Sequence, residues 1–282
     1  MHLNRGGGKV SRLTYRESVT VCHQHTTREA AARDAEITKL FPRPPGVLKV
    51  KRSRVRRIGR GLAWKVISRY EWLGTMPMCS DYYGVFFDDH LAGVACYATG
   101  GAGVNVPKWL GAHPKKVAYL CRGACVHWAP KGTAPRLINR SADMTGCDVA
   151  IAYSDTDAGE IGTVYQASGW TCLGKGASTI QYISPQGRAY DQKLPFDIAR
   201  KSKVTTRKMA HKALIRAGWT TQKSNPKYRY GKILDAGLSN QSLVQRFAVS
   251  EAPYPKRRPV EGATFPVVAG GADPTSALHL EK

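Results

Sequence analysis

Between residues 152 and 160 the chain reads AYSDTDAGE, crowding Ser154, Asp155, Asp157 and Glu160 behind an apolar run. Tyr165 follows in EIGTVYQASGW, a short helical pattern that ends at Gly169 with Trp170 directly behind it. Glycine after a last helical turn is an ordinary cap. Carboxylates near a phenol have the chemistry of an acid–base pair, one group accepting a proton and the other giving one. Asp157 can cap the first turn of the following helix. Asp155 and the Tyr165 hydroxyl then have no structural task, and in open α/β sheets sites collect at the carboxyl ends of strands. On the residues alone, a packed helix end and an active site both stay open.

A second stretch, WAPKGTAPRL at 128–137, is a turn of small residues opening a helix behind an apolar strand. Backbone N–H groups at such a helix start favour anions such as phosphate, and Lys131 adds charge. A plain strand–helix turn explains the single Gly132 as well. Cysteine chemistry offers less. Cys121 and Cys125 lie four apart on one strand face, without a second Cys or His pair at ligand spacing, and CHQH at 22–25 reads as a solvated turn. No metal is expected. Seven cysteines, an odd number without regular spacing, fit reduced thiols better than a disulfide framework.

The elements that must position these residues alternate. YYGVFFDDHLAGVACYA has two apolar runs around DDH, a hairpin signal. KVAYLCRGACVHW reads as a long strand buried on both faces. APKGTAPRLINRSADM turns into a helix and CDVAIAYSD is a further buried strand. After the Tyr165 helix come WTCLGKG and TIQYIS as two short strands. The order helix, hairpin, strand, helix, strand, helix, strand predicts a mixed α/β domain around one sheet.

The flanks differ from this centre. Residues 1–69 carry 17 basic and 4 acidic side chains, residues 70–194 carry 10 of each, and residues 195–258 carry 15 and 3. The overall formal charge is +23. Two basic flanks around a neutral middle predict a polyanionic partner, nucleic acid before an anionic membrane surface. No apolar run reaches the roughly 20 residues that span a bilayer, and MHLNRGGGKVSR has no apolar core of a secretory signal. In the N-terminal flank, TTREAAARDAEITKLF predicts a helix with Thr26 and Glu29 as its capping box. PRPPG at 42–46 marks a boundary, and VLKVKRSRVRRI alternates like a half-exposed strand. In the C-terminal flank, TTRKMAHKALIRA predicts a helix stopped by Gly218, KYRYGKIL a strand, and the chain from Pro253 an irregular tail. The domains expected are a basic, partly helical extension over 1–46, a core over 47–234 whose part from about 195 is basic, and a largely irregular tail over 235–282.

The succession strand, anion-binding turn, helix, strand, then helix with Tyr and a Gly-aromatic ending resembles the GNAT acyltransferases. HWAPKGTAPRLI and AYSDTDAGEIGTVYQASGW, joined to YEWLGTMP upstream, resemble more narrowly the Mom-type proteins of Mu-like phages. The likeness covers about residues 64–234. It implies a GNAT-like mixed central sheet flanked by helices, with basic N- and C-terminal extensions. It further implies an enzyme that places a carbamoylmethyl group on the exocyclic amine of adenine in phage DNA, protecting it from restriction in the host cytoplasm. By the resemblance, Asp155 and Tyr165 belong to the active site, with Ser154 beside them. Val126 and the turn Lys131, Gly132, Thr133 and Ala134 would hold acetyl-coenzyme A or a related acyl-coenzyme A. The chain departs from the pattern in having a single glycine and Pro135 in that turn, and Glu71 with Trp72 where a His-Tyr pair is expected.

Double-stranded DNA is the expected partner. A base modified in a duplex must be flipped out and stacked, for which Trp72, Trp109, Trp128 and Trp170 are candidates. Arg122, inside a buried strand, needs an anionic partner, either an acid of the Asp155 cluster or an anionic ligand, and His127 is expected with it on the DNA substrate. Arg56, Arg57, Lys223 and Lys227 are expected on phosphates. Two alternatives stay open: a GNAT-like N-acetyltransferase acting on a protein or small molecule, and a catalytically inactive DNA-binding scaffold.

Overall fold

The computed structural model describes residues 22–99, 116–187, 189–190, 192, 194–202, 206–235 and 252–255. Trp109, the glycine-rich stretch around it and most of the C-terminal tail lie outside the described residues. The chain divides into two compact units. One comprises Met1–Gly176 and Lys227–Arg258, the other Ala177–Pro226 and Pro259–Lys282.

In chain order the first unit contains α1 (His23–Arg33), α2 (Ala35–Leu40), β1 (Arg54–Arg57), α3 (Arg60–Tyr70), β2 (Asp81–Phe87) and β3 (His90–Thr99). Then come β4 (Val117–Cys125), α4 (Thr133–Asp143), β5 (Val149–Ser154), α5 (Thr163–Gln166) and β6 (Thr171–Lys175). In the second unit are β7 (Ile180–Ile183), β8 (Ala189–Tyr190), α6 (Leu194–Ser202), α7 (Arg207–Arg216) and β9 (Thr220–Lys223), after which β10 (Tyr228–Ile233) returns to the first.

The first unit is a mixed seven-stranded sheet in the order β1-β2-β3-β4-β5-β10-β6, flanked by helices. The DDH hairpin forms as expected. Its two-residue turn puts Asp88 at φ 50, a left-handed conformation that Asp tolerates and that tight hairpins require. Residues in β2 are all buried, and Tyr83 and Tyr97 send their hydroxyls to α4, onto the Met144 carbonyl (3.0 Å) and onto Ile138 and Ser141 (3.1 and 2.9 Å). Those bonds satisfy phenols that burial would otherwise leave unpaired. KYRYGKIL, the expected C-terminal strand, is β10 and threads between β5 and the edge strand β6.

One feature of the pairing makes the site. All neighbours in the sheet are antiparallel except β4 and β5, which run parallel and pair only from Val117↔Val149 to Leu120↔Ala152. Beyond that, β4 continues on β3 to Cys125, and β5 continues on β10 to Ser154. The two carboxyl ends therefore part, opening a gap inside an otherwise continuous sheet.

Several expectations are corrected. The first helix starts at His23, so Thr26 lies inside it and makes no cap. Asp34 ends that helix and caps the next, its Oδ1 accepting from Ile37 N at 3.0 Å. Of VLKVKRSRVRRI only Arg54–Arg57 is strand, because Val50–Arg52 form a tight turn first. The Tyr165 helix is one turn long, since Gly159 and Gly162 before it are left-handed. TIQYIS belongs to a separate sheet of order β8-β7-β9 in the second unit, which also contains a helix, α6, without a clear sequence signal.

Candidate active site

The gap between β4 and β5 opens into a cavity of about 210 Å³. β4 contributes Tyr119 to Gly123, β5 and the turn behind it Tyr153, Ser154, Asp155 and Glu160, and the start of α5 Gly162 to Tyr165. Glu71, Trp72 and Leu73 after α3, Cys22, Gln24 and His25 of the N-terminal segment, and Lys227 before β10 complete the lining.

Asp155 is fixed from two sides. One oxygen, Oδ1, accepts from Asp157 N at 3.0 Å and so caps the tight turn Thr156–Ala158. The other, Oδ2, stands 2.7 Å from the ammonium of Lys227. Its backbone N–H donates to Glu160 Oε2 (3.2 Å), while Glu160 N donates to the Asp155 carbonyl (2.9 Å). This mutual clasp folds Glu160 back over the cavity. Burial, with the Asp155 charge adding to it, pushes the Glu160 carboxyl up to about 7, against the N–H bond and Lys227 that pull the other way. A carboxyl near 7 exchanges a proton readily at neutral pH.

Tyr165 forms the far wall. Its ring lies between Trp170 (5.5 Å between centroids) and Tyr230 (5.0 Å), and burial holds its hydroxyl well above the usual tyrosine range. Gly162 makes this stack possible: its φ is +71, and a Cβ there would lie 2.2 Å from Tyr230 Cε2. Ser154 Oγ is buried and makes no hydrogen bond among the described residues. A buried hydroxyl facing a cavity without a partner is suited to a ligand atom.

Arg122 finds its anion in Glu71 (3.7 Å), not in the Asp155 cluster. Its guanidinium also donates to Thr75 O (3.0 Å), Thr75 Oγ1 (3.2 Å) and Cys121 O (2.8 Å), so its charge is already engaged. Burial raises the Glu71 carboxyl, opposed by Arg122 and by the Gly74 and Leu73 N–H groups.

The expected cofactor residues lie elsewhere. None of Val126 or Lys131–Ala134 lines the cavity. Val126 is fully buried, its N–H on Ala92 O at 2.9 Å. In the turn, Gly132 is left-handed (φ 91), Thr133 N–H is taken by Pro130 O (3.1 Å) and Pro135 has no donor, while Lys131 is exposed. His127 hydrogen-bonds Tyr70 Oη through Nδ1 (2.9 Å), and burial lowers its pKa. One residue unread in the sequence holds this region. Arg28, on α1, donates to the carbonyls of Val126 (3.1 Å), His127 (2.9 Å) and Ala129 (2.7 Å). Gln24 ties the same helix to Tyr70 O and Trp72 N, and His23 meets the Trp72 ring edge-on at 5.4 Å.

The structure thus brings Ser154, Asp155, Tyr165, Trp72, Arg122 and Lys227 to one cavity. Trp128, half-buried, donates to Phe41 O (2.8 Å), and Trp170, fully buried, donates to Asn139 (3.0 Å), so both rings are held by the scaffold. Arg56 lies over the Phe86 ring (4.1 Å) and Arg57 pairs with buried Asp81. Lys223 is exposed in the second unit, so it and Lys227, expected to act together, belong to different units. Among the described residues no helix is long and apolar enough to cross a membrane.

A family model described as the Mom protein family matches residues 52–256. The chain belongs to the Mom protein family. The Mom match takes in Trp72, Asp155, Glu160, Tyr165 and Lys227 and leaves out α1 and α2. No curated protein matches. Among solved structures the chain is similar to a probable acetyltransferase from Staphylococcus epidermidis at 9% identity and a TM-score of 0.37, covering 65% of this chain and 99% of that one. It is also similar to a spermidine N-acetyltransferase mutant from Vibrio cholerae (11%, 0.37, 65% and 95%). A third is a GNAT-family acetyltransferase from Streptococcus pneumoniae (9%, 0.35, 65% and 99%).

Proposed function

We propose that this Mom protein is a GNAT-like transferase that modifies the exocyclic amine of adenine in duplex DNA with a carbamoylmethyl-type group derived from an acyl donor. The observation that carries the reading is the Asp155–Glu160 clasp beside Tyr165 and the unpartnered Ser154 hydroxyl, at the parting of two parallel strands. An adenine amine is a weak nucleophile, and it must lose a proton as its nitrogen forms a bond to the donor carbon. Glu160 accepts that proton, and a group near 7 is matched to the task. Lys227 and the Asp157 N–H hold the Asp155 carboxyl in place. Tyr165 keeps its hydroxyl proton at neutral pH and gives it to the departing group. Trp72, at the cavity wall, stacks on the flipped base.

An acyl-coenzyme A would supply an activated carbonyl carbon with a thiolate leaving group. The amide nitrogen that distinguishes a carbamoylmethyl group from a plain acetyl group would come from a further amine-level donor. The chain fits the coenzyme at one place: exposed Lys131 beside the start of α4, an 11-residue helix whose left-handed Gly132 leaves the backbone uncovered. Lys131 would hold the pyrophosphate by its charge, because at the helix start the Thr133 N–H is already bonded to Pro130 O and Pro135 has no donor. The phage setting and protection from restriction belong to the same proposal. The test is to incubate purified protein with plasmid DNA and acetyl-coenzyme A, then cut with enzymes whose sites contain adenine. Protection supports the reading; a plasmid that stays fully cleavable with every acyl donor tried counts against it.

A further inference from the structure

The second unit is basic in a way its fold does not need. Ala177–Pro226 contains ten Lys and Arg against two Asp. Its helices α6 and α7 are separated by four residues, the spacing of a helix-turn-helix. β7 supports them: Tyr182 Oη meets His211 Nδ1 of α7 at 2.7 Å. Ala210 and Leu214 are the buried side of α7. On the other side Lys208, Lys212 and Arg216 follow one another at four-residue spacing, all exposed, with exposed Arg207 at the helix start. At 1.5 Å per residue this row is about 12 Å long and straight.

Two features make the row unfavourable by itself. Like charges four apart on a helix repel, and Arg207 and Lys208 lie in a first turn without an acidic residue, where the helix dipole disfavours cations. None of the four makes an ion pair among the described residues, whereas Arg200 of α6 has Asp197 at 3.6 Å. β9 adds Thr220, Thr221, Gln222 and Lys223, all exposed, on an edge of the small sheet. Such donors bind phosphate oxygens without reading sequence.

We propose that residues 177–226 form a separate duplex-DNA docking module, in which the row Lys208, Lys212 and Arg216 of α7 lies along phosphates. The inference rests on the reading that duplex DNA is the substrate, and adds that affinity resides in a unit other than the one with the cavity. An evenly spaced, rigid row of cations suits a regular polyanion, and phosphate contacts supply sequence-independent affinity.

The test measures binding of the full chain to a labelled duplex of random sequence over a range of salt. Three proteins are compared: the unaltered chain, Lys208→Glu with Lys212→Glu, and a control of equal charge change in the first unit, Lys39→Glu with Arg43→Glu. Circular dichroism checks that each is folded. Two lost phosphate contacts should lower the salt slope by about 1.8, with at least tenfold weaker binding at low salt, only in the α7 variant. The thermal shift given by acetyl-coenzyme A should be the same in all three. Equal slopes in the unaltered and α7 proteins overturn the module while leaving DNA as substrate. Equal loss in the α7 variant and the control overturns it too, because net charge would then explain the binding. An unaltered chain that ignores duplex DNA, or binds duplex RNA in its place, sinks both the module and the DNA reading.

Discussion

The ammonium of Lys227 stands 2.7 Å from Asp155 Oδ2, joining the residue before β10 to the end of β5 at the mouth of the cavity. Asp155 is buried, so its carboxylate depends on that partner and on the Asp157 N–H. Lys227→Met should lower modification sharply and also lower the thermal midpoint, because it leaves the buried Asp155 without its cation. Lys227→Arg should restore part of the rate. Both variants working as well as the unaltered protein would detach the ion pair from the chemistry.

Glu160 gives a pH dependence with a defined sign. Its folded pKa, about 7, is raised above that of an ordinary glutamate. The protein gains stability from it at acid pH and loses that contribution as pH rises through 7. Glu160→Gln should therefore be more stable than the unaltered protein at pH 8, on the order of 2–3 kcal/mol, and indistinguishable from it near pH 4. Activity should move the other way: the rate rises with pH through about 7, and the Gln variant lacks that limb and is roughly 10²–10⁴-fold slower. Denaturant melts and rate profiles across this range check both signs.

The Tyr165 stack rests on an absent Cβ. Gly162→Ala puts a methyl 2.2 Å from Tyr230 Cε2 at a φ of +71. Overpacking and a left-handed alanine together should cost more than about 2 kcal/mol. A melt within a degree of the unaltered protein would mean that the turn relaxes freely.

Arg28 holds the carbonyls of Val126, His127 and Ala129, of which only Val126 O also accepts a backbone N–H, from Ala129, among the described residues. Arg28→Ala should cost about 1–3 kcal/mol for the polar groups it leaves behind and loosen α1. Cys22, buried at the start of that helix, should then react faster with iodoacetamide. Lys at this position should rescue little, since a single ammonium nitrogen cannot reproduce the planar reach of Nε and Nη2. Unchanged labelling in Arg28→Ala would show that α1 stays docked by its other contacts.

The sequence makes the scaffold of this site readable more easily than its chemistry. Apolar runs give β4 and β5, and the polar cluster behind the second run gives Ser154 and Asp155 at a strand end. Glu160 is visible as one more acid, but its burial depends on the left-handed Gly159 and Gly162 and on a bond to the Asp155 N–H, none of which a residue pattern encodes. Arg122 shows that it needs an anion, yet Glu71 becomes its partner only through the packing of α3 beside β4. Arg28 meets carbonyls 98 to 101 residues away, and no local spacing announces a contact of that kind. The basic C-terminal flank is plain as charge. Its division into a separate unit, with β10 returning to the first sheet, is a matter of tertiary structure.

Nucleoside mass spectrometry on DNA from cells expressing the protein decides whether it modifies adenine. Expected is a deoxyadenosine species heavier by one carbamoylmethyl group, present with the unaltered chain and lost in Asp155→Ala, Glu160→Gln and Tyr165→Phe. If all deoxyadenosine is unmodified while the protein is folded and abundant, the DNA-modification account is contradicted. An acetylated protein or small amine in the same cells would then put the acetyltransferase reading in its place.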